Sequence, residues 1–227
     1  MISRKTQVEF LKKTASLYRN AAKIHGGEGI IVRGRQRCIS GKFEDEFAKL
    51  ILEHVICKAR GWRIFVDYPI AIPKKRSRNQ SKYIDFMLCK KLDDDTAEVM
   101  YMAEIKLDTG WMRNNIYKVA RGLERSLKEL RNRDDISSKE EDCICNDDRL
   151  YFNFSDLTLY DLIILSAANN GRDTINLALR RVEKNLSATT RIFFLTDQSV
   201  NVKVGCPCPC KDFSILEKRI RDCKENI

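Results

Sequence analysis

Apolar residues recur at steps of three and four between residues 5 and 24, where Val8, Leu11, Ala15, Tyr18 and Ala22 form one stripe. That spacing predicts an amphipathic helix, ended by the glycines of HGGEG (25–29). A second stripe of Phe43, Phe47, Leu50, Ile51, His54 and Val55 predicts a helix from about Phe43 to Arg60, with Gly61 as its stop. The pattern then changes to extended apolar runs: WRIFVDYPI (62–70), KYIDFMLCK (82–90) and EVMYMAEIKL (98–107). A polar, basic loop, PKKRSRNQSK, separates the first two, and KLDDDTA between the last two reads as a hairpin turn. Beyond Gly110, residues 111–132 predict a long helix. Then follow an acidic segment, a buried strand LYDLIILSA (159–167), a helix DTINLALRRVEKN, a buried strand TRIFFLTD (190–197) and a last helix over about 212–224. The order α, β, β, β, α, β, α, β predicts an α/β fold with a mixed central sheet flanked by helices.

Length and composition fit one core with appendages: 227 residues, 43% of them apolar. The expected divisions are a basic N-terminal helical arm (1–40), a core (41–200) carrying an acidic insertion (133–157), and a C-terminal Cys-rich turn and helix (201–227). No apolar run is long enough to span a bilayer, and MISRKTQVEFLKK lacks the apolar centre of a signal peptide. A soluble, cytoplasmic protein with no membrane partner is expected. The nine cysteines then read as mostly reduced thiols. CPCPC (206–210), with Cys143 and Cys145 as distant partners, raises zinc, although Cys-x-Cys is a poorer chelate than Cys-x2-Cys.

Charge sharpens the picture. The formal balance is +10, and residues 1–42 hold ten Lys or Arg against Glu9 and Glu28, a net of +8. Residues 134–148 carry seven acids against Lys139, a net of −6. One end of the molecule is suited to meeting a polyanion. Arg33, Arg35, Arg37 and Lys42, with Lys74, Lys75, Arg76, Arg78 and Lys82, are candidate phosphate contacts, because both groups adjoin the elements that carry the acids discussed next.

Two apolar strand runs contain Asp85, Glu104 and Lys106. Burying an unpaired charge is costly. Alternation puts Glu104 and Lys106 on one face, roughly 7 Å apart at a rise of ~3.3 Å per residue. If the two strands pair through the DDDTA turn, Asp85 sits near Glu104. Two carboxylates in a partly dry site repel unless a divalent cation joins them, and hard oxygen ligands suit Mg²⁺. A neighbouring ammonium can steer water or stabilise charge on a phosphorane-like transition state. The plain alternative is an ordinary Glu104–Lys106 surface pair. Asp93, Asp94 and Asp95 are explained by turn chemistry, and His25 and His54 are poor catalytic candidates.

Asp85, followed by Glu104-Ile105-Lys106, resembles the PD-(D/E)XK nuclease motif, which that superfamily carries on the second and third strands of an α-β-β-β-α-β core. Tyr83-Ile84 stands where the motif's first letters would be. The likeness covers residues 41–197 and implies a restriction-endonuclease-like core. It implies Mg²⁺, with Mn²⁺ able to substitute, held by Asp85, Glu104 and the Ile105 carbonyl, and water positioned by Lys106. Relatives often add a glutamate from the first core helix. Helical spacing puts Glu44 in line with Ala48, Ile51 and Val55 on the sheet-facing side, and Glu46 with Lys49 and Glu53 on a polar face, so Glu44 is the candidate.

The expected activity is a Mg²⁺-dependent DNA endonuclease that hydrolyses phosphodiester bonds, most like a type II restriction enzyme. Cutting both strands of double-stranded DNA favours a homodimer, with the stripe of the first helix or the helix after Gly110 as contact. WMRNNIYKVARGLERSL has Asn where RecB-type exonucleases carry Gln. No GxxxxGK[ST] or GxGxxG motif supports a nucleotide cofactor. The alternatives are a non-cutting nucleic-acid-binding module, a resolvase or mobile-element nuclease, and a zinc-dependent regulator using CPCPC.

Overall fold

A computed structural model describes residues 1–26, 37–57, 60–73, 80–107, 109, 115–138, 150–166, 172–196 and 209–225. Among these residues it is an α/β structure: a seven-stranded mixed sheet flanked by helices. The strands are β1 (Trp62–Ile72), β2 (Gln80–Lys91), β3 (Thr96–Lys106), β4 (Ser137–Ser138), β5 (Tyr151–Asn153), β6 (Leu159–Ile164) and β7 (Ile192–Phe194). The helices are α1 (Arg4–Gly26), α2 (Arg37–Ile51), α3 (Ile116–Arg131), α4 (Arg172–Asn185) and α5 (Lys211–Glu225). Among the described residues no helix is long and apolar enough to cross a membrane.

β3 is the spine of the sheet. β2 lies antiparallel on one side of it, while β5 and β6 lie parallel on the other, β5 along its start and β6 along its end. β7 continues the parallel part beyond β6. β1 pairs antiparallel with β2, and β4 bonds to both β1 and β5, closing a ring β1-β2-β3-β5-β4. β4 and β5 lie in the stretch expected to be a bare acidic insertion. Runs of two and three residues are too short to show alternation.

Helices cover both faces. Ile116, Ala120, Leu123, Leu127 and Leu130 of α3 pack with Ile175, Ala178 and Val182 of α4 on one side. On the other, α1, α2 and α5 bury Phe10, Leu11, Phe43, Phe47, Phe213 and Ile220. Of the α1 stripe that was a candidate dimer contact, Leu11 and Ala15 are buried in the chain's own core, while the side chains of Tyr18 and Ala22 lie outside the described residues. α2 ends earlier than expected: a π-helical turn, Leu52–Ile56, follows it, and Cys57 closes that turn with φ 50° and its N–H bonded to the Leu52 carbonyl. Arg221 and Lys224 of α5 donate to the carbonyls of His54, Val55 and Ile56, which the turn leaves open.

The alternation expected along β1 and β2 is broken at one point. Trp62 and Ile64 pack under α2, but Tyr68, Ile70 and Ile72 pack under α3 and α4. On β2, Ile84 faces α3 whereas Phe86 and Leu88 face α2, so these three do not share a face as the plain period of two predicts. The cause is Asp67, whose φ of 45° is left-handed. The ladder pairs Val66 with Phe86 and then Tyr68 with Ile84, and leaves Asp67 opposite Asp85. Asp is among the non-glycine residues that tolerate this region.

Under the parallel strands, Asp161 of β6 is fully buried. It accepts from Arg219 Nε at 2.7 Å and from the Arg191 amide at 2.8 Å. Removing the guanidinium strands a buried carboxylate, a loss that typically costs about 3–5 kcal/mol. Arg219→Met is expected to lower unfolding free energy in urea by about that much; a loss below about 1 kcal/mol, the range of exposed pairs, would show that Asp161 is compensated elsewhere.

Candidate functional site

The site is built where β2 and β3 part. Their ladder runs from Lys91↔Ala97 to Phe86↔Ala103 and stops there. Beyond that point β3 continues against β6, pairing Lys106 with Ile164, while β2 continues against β1. The fork leaves the Ile105 amide without a backbone acceptor on β2. Asp85 supplies one: its Oδ2 accepts that N–H at 2.8 Å and the Lys106 ammonium at 3.3 Å. Lys106 Nζ also lies 2.5 Å from Glu104 Oε1. The expected neighbourhood of Asp85, Glu104 and Lys106 is present, with the ammonium between the two carboxylates. Ile105, whose carbonyl was the expected ligand, touches the site through its amide.

α2 delivers the fourth residue. Glu44 stands in the stripe with Phe43 and Phe47 and is 5% exposed, although glutamate is almost never buried without a partner. The edge-to-face contact of Phe47 with Phe86, centroids 5.2 Å apart, pins that helix over β2 one residue from Asp85. Glu46 instead points away and pairs with Lys13 at 2.5 Å. Helical periodicity thus separates the two glutamates correctly.

Asp67 is the member that sequence reasoning missed. One carboxylate oxygen from each of Glu44, Asp67 and Asp85 lies within 4.8 Å of the others. The set runs from buried Glu44 through part-buried Asp85 to exposed Asp67, leaving one side open to solvent. An acid inside WRIFVDYPI carries the same signal as Asp85 inside KYIDFMLCK; what it lacks is the cross-strand register that sets the two opposite each other. Glu104 stays outside this trio, bonded to Lys106.

The electrostatics follow from burial first and from crowding second. Burial pushes the Glu44 carboxyl up to about 8, and the charges of Asp85 and Asp67 push the same way. Burial and then Asp85 raise Glu104, partly offset by Lys106. Burial alone would lower Lys106, but Glu104 and Asp85 outweigh it, raise its pKa and keep it charged. Three carboxylate oxygen donors within 4.8 Å of one another fit a hard divalent ion such as Mg²⁺.

The remaining expected contacts divide. Arg33, Arg35, Lys74, Lys75, Arg76 and Arg78 lie outside the described residues, as do Cys143, Cys145 and residues 206–208 of CPCPC. Arg37 is the first residue of α2, and Lys42 is exposed two residues before Glu44. Lys82, on β2, lines a cleft against α3. Asp93, Asp94 and Asp95 form the expected hairpin tip, with the Asp95 N–H donating to Asp93. Comparison with models of known protein families, with curated proteins and with solved structures finds no match to this chain.

Glu44 makes the metal-free fold pH-sensitive. Its folded pKa near 8 lies above the ordinary 4.5. The associated stability is complete below the lower value and is lost as pH rises through the upper one. The melting temperature in EDTA is expected to fall between about pH 5 and pH 8 more steeply for the wild type than for Glu44→Gln. Added Mg²⁺ or Mn²⁺ should reverse the loss only where Glu44 is present. Parallel pH profiles for the two proteins would contradict the assignment.

Proposed function

We propose that the chain is a divalent-metal-dependent DNA endonuclease built on a restriction-endonuclease-like core. The observation that carries this reading is the meeting of two groups at one strand fork: the carboxylates of Glu44, Asp67 and Asp85, and the ammonium of Lys106 held between Asp85 and Glu104. The order of β1, β2 and β3 as an antiparallel meander, followed by α3 and the parallel β6, supports the same core. The +10 charge supports a polyanionic substrate.

A divalent ion at the carboxylates would supply Lewis acidity to a phosphoryl oxygen and lower the pKa of water bound there. Lys106, anchored at both ends of its hydrogen bonds, orients the attacking water and faces the charge that develops on the phosphoryl group. Glu104, raised above the usual carboxylate range, is placed to take the proton of that water. The water oxygen forms the new bond to phosphorus, the bond from phosphorus to one deoxyribose oxygen breaks, and that oxygen leaves with a proton from solvent.

Plasmid incubated with the full chain and Mg²⁺ is expected to yield discrete fragments, abolished by EDTA. Lys106→Ala should slow cleavage by about 10²–10³, the usual effect of removing one charge-stabilising donor, and Glu104→Ala should do at least as much. Asp67→Asn should raise the Mg²⁺ concentration needed for half-maximal rate by about tenfold or more, by analogy with lost support of a metal site. Cleavage that survives Glu104→Ala would remove this residue from the reaction, and a gel shift with no cutting under any metal would remove the nuclease assignment.

A further inference from the structure

Beside the fork lies a cleft of about 620 Å³, lined by Ile72 of β1, Lys82 of β2, Ser126, Glu129 and Leu130 of α3, and Arg133 just after it. Its volume is within the range of ligand sites. Lys82 is the unusual member. Its ammonium sits 5.2 Å from the ring centre of Tyr160 and bonds to the Ser126 hydroxyl. Among the described residues it forms no ion pair with a carboxylate. A half-buried cation held by a hydroxyl and an aromatic face is only partly compensated for the water it has lost. Burial lowers its pKa, and the carboxylates of Glu104 and Glu129 raise it only in part.

Position ties this cation to the site. Lys82 is three residues before Asp85 on β2, and Ile84 between them packs toward α3. Glu104 also lies on the α3 side, since its neighbours Ala103 and Ile105 pack toward α2. An anion entering the cleft would therefore meet Lys82 next to the Glu104–Lys106 pair. Small free anions and a polynucleotide both offer phosphate, but the remaining cleft volume and the continuity with the fork favour the polymer.

We propose that this cleft is a phosphate subsite, in which Lys82 receives the backbone phosphate of a polynucleotide adjacent to the one placed at the fork. The identity of the polymer rests on the nuclease reading. Lys82 binds and positions the strand; it touches none of the reacting atoms.

Binding of a short fluorescent DNA duplex to the full chain, followed by anisotropy in EDTA over a series of salt concentrations, tests this without any cleavage. Each phosphate contact contributes about 0.9 to the slope of log K against log salt. Lys82→Gln is expected to lower the slope by about that amount, while Lys82→Arg retains it, with both variants melting as cooperatively as the wild type. An unchanged slope in Lys82→Gln overturns the subsite, and so does a wild type that binds no duplex. Inorganic phosphate whose binding falls in Lys82→Gln while the duplex slope stays constant would mark a small-anion site and overturn the polymer assignment. A Lys82-dependent slope in a protein that cuts nothing with Mg²⁺ would sustain the subsite and remove the nuclease reading.

Discussion

The carboxylate of Asp85 holds the two halves of the sheet in the relation on which the site depends. Where β2 leaves β3, the backbone ladder ends and an amide in the interior would otherwise lack an acceptor. Such a group costs on the order of 1–3 kcal/mol if unmet. Asp85 meets the Ile105 amide with a charged oxygen and thereby fixes its own position, the end of β3 and the Lys106 ammonium together. A side chain bridging a split ladder is a structural clasp, and in the proposed reading it is also a ligand of the cation site. Either role alone would explain an aspartate there, and its second hydrogen bond to Lys106 connects them.

Around that clasp, negative charge is concentrated beyond what the fold needs. The left-handed backbone at Asp67 swaps the faces of β1 and sets its carboxylate against Asp85. Non-glycine residues in this region carry strain on the order of 1 kcal/mol, and such strain gathers where function requires a geometry. Glu44 adds a third carboxyl from a helix that the Phe47–Phe86 ring contact presses onto the sheet. Without a cation, burial and then this crowd push the Glu44 carboxyl up to about 8. With one, the same repulsion becomes binding energy, because three acids that disfavour each other all favour a shared positive charge.

Much of this was legible in the sequence. Long, strongly periodic segments such as α1, α3 and β1 to β3 announced themselves, and the helical phase of Glu44 against Glu46 told their environments apart. So did an acid or a lysine inside an oily strand, since burial without purpose is expensive. Less legible was anything that depends on register. Asp67 carried the same local mark as Asp85, but its importance comes from standing opposite it, and the face swap it causes made the expected grouping of Ile84 with Phe86 and Leu88 fail. β4 and β5 went unseen because strands of two or three residues have no period to read. Alternation allowed the Glu104–Lys106 pair as the plain alternative, but that Glu104 stays with Lys106 at 2.5 Å and outside the group of Glu44, Asp67 and Asp85 is a matter of side-chain geometry that alternation does not resolve.

A crystal of the protein soaked in Mn²⁺ and recorded at the manganese edge locates the ion directly. The expected result is an anomalous peak coordinated by the carboxylates of Glu44, Asp67 and Asp85. A peak held elsewhere with those three carboxylates apart, or no peak at saturating Mn²⁺, would contradict it.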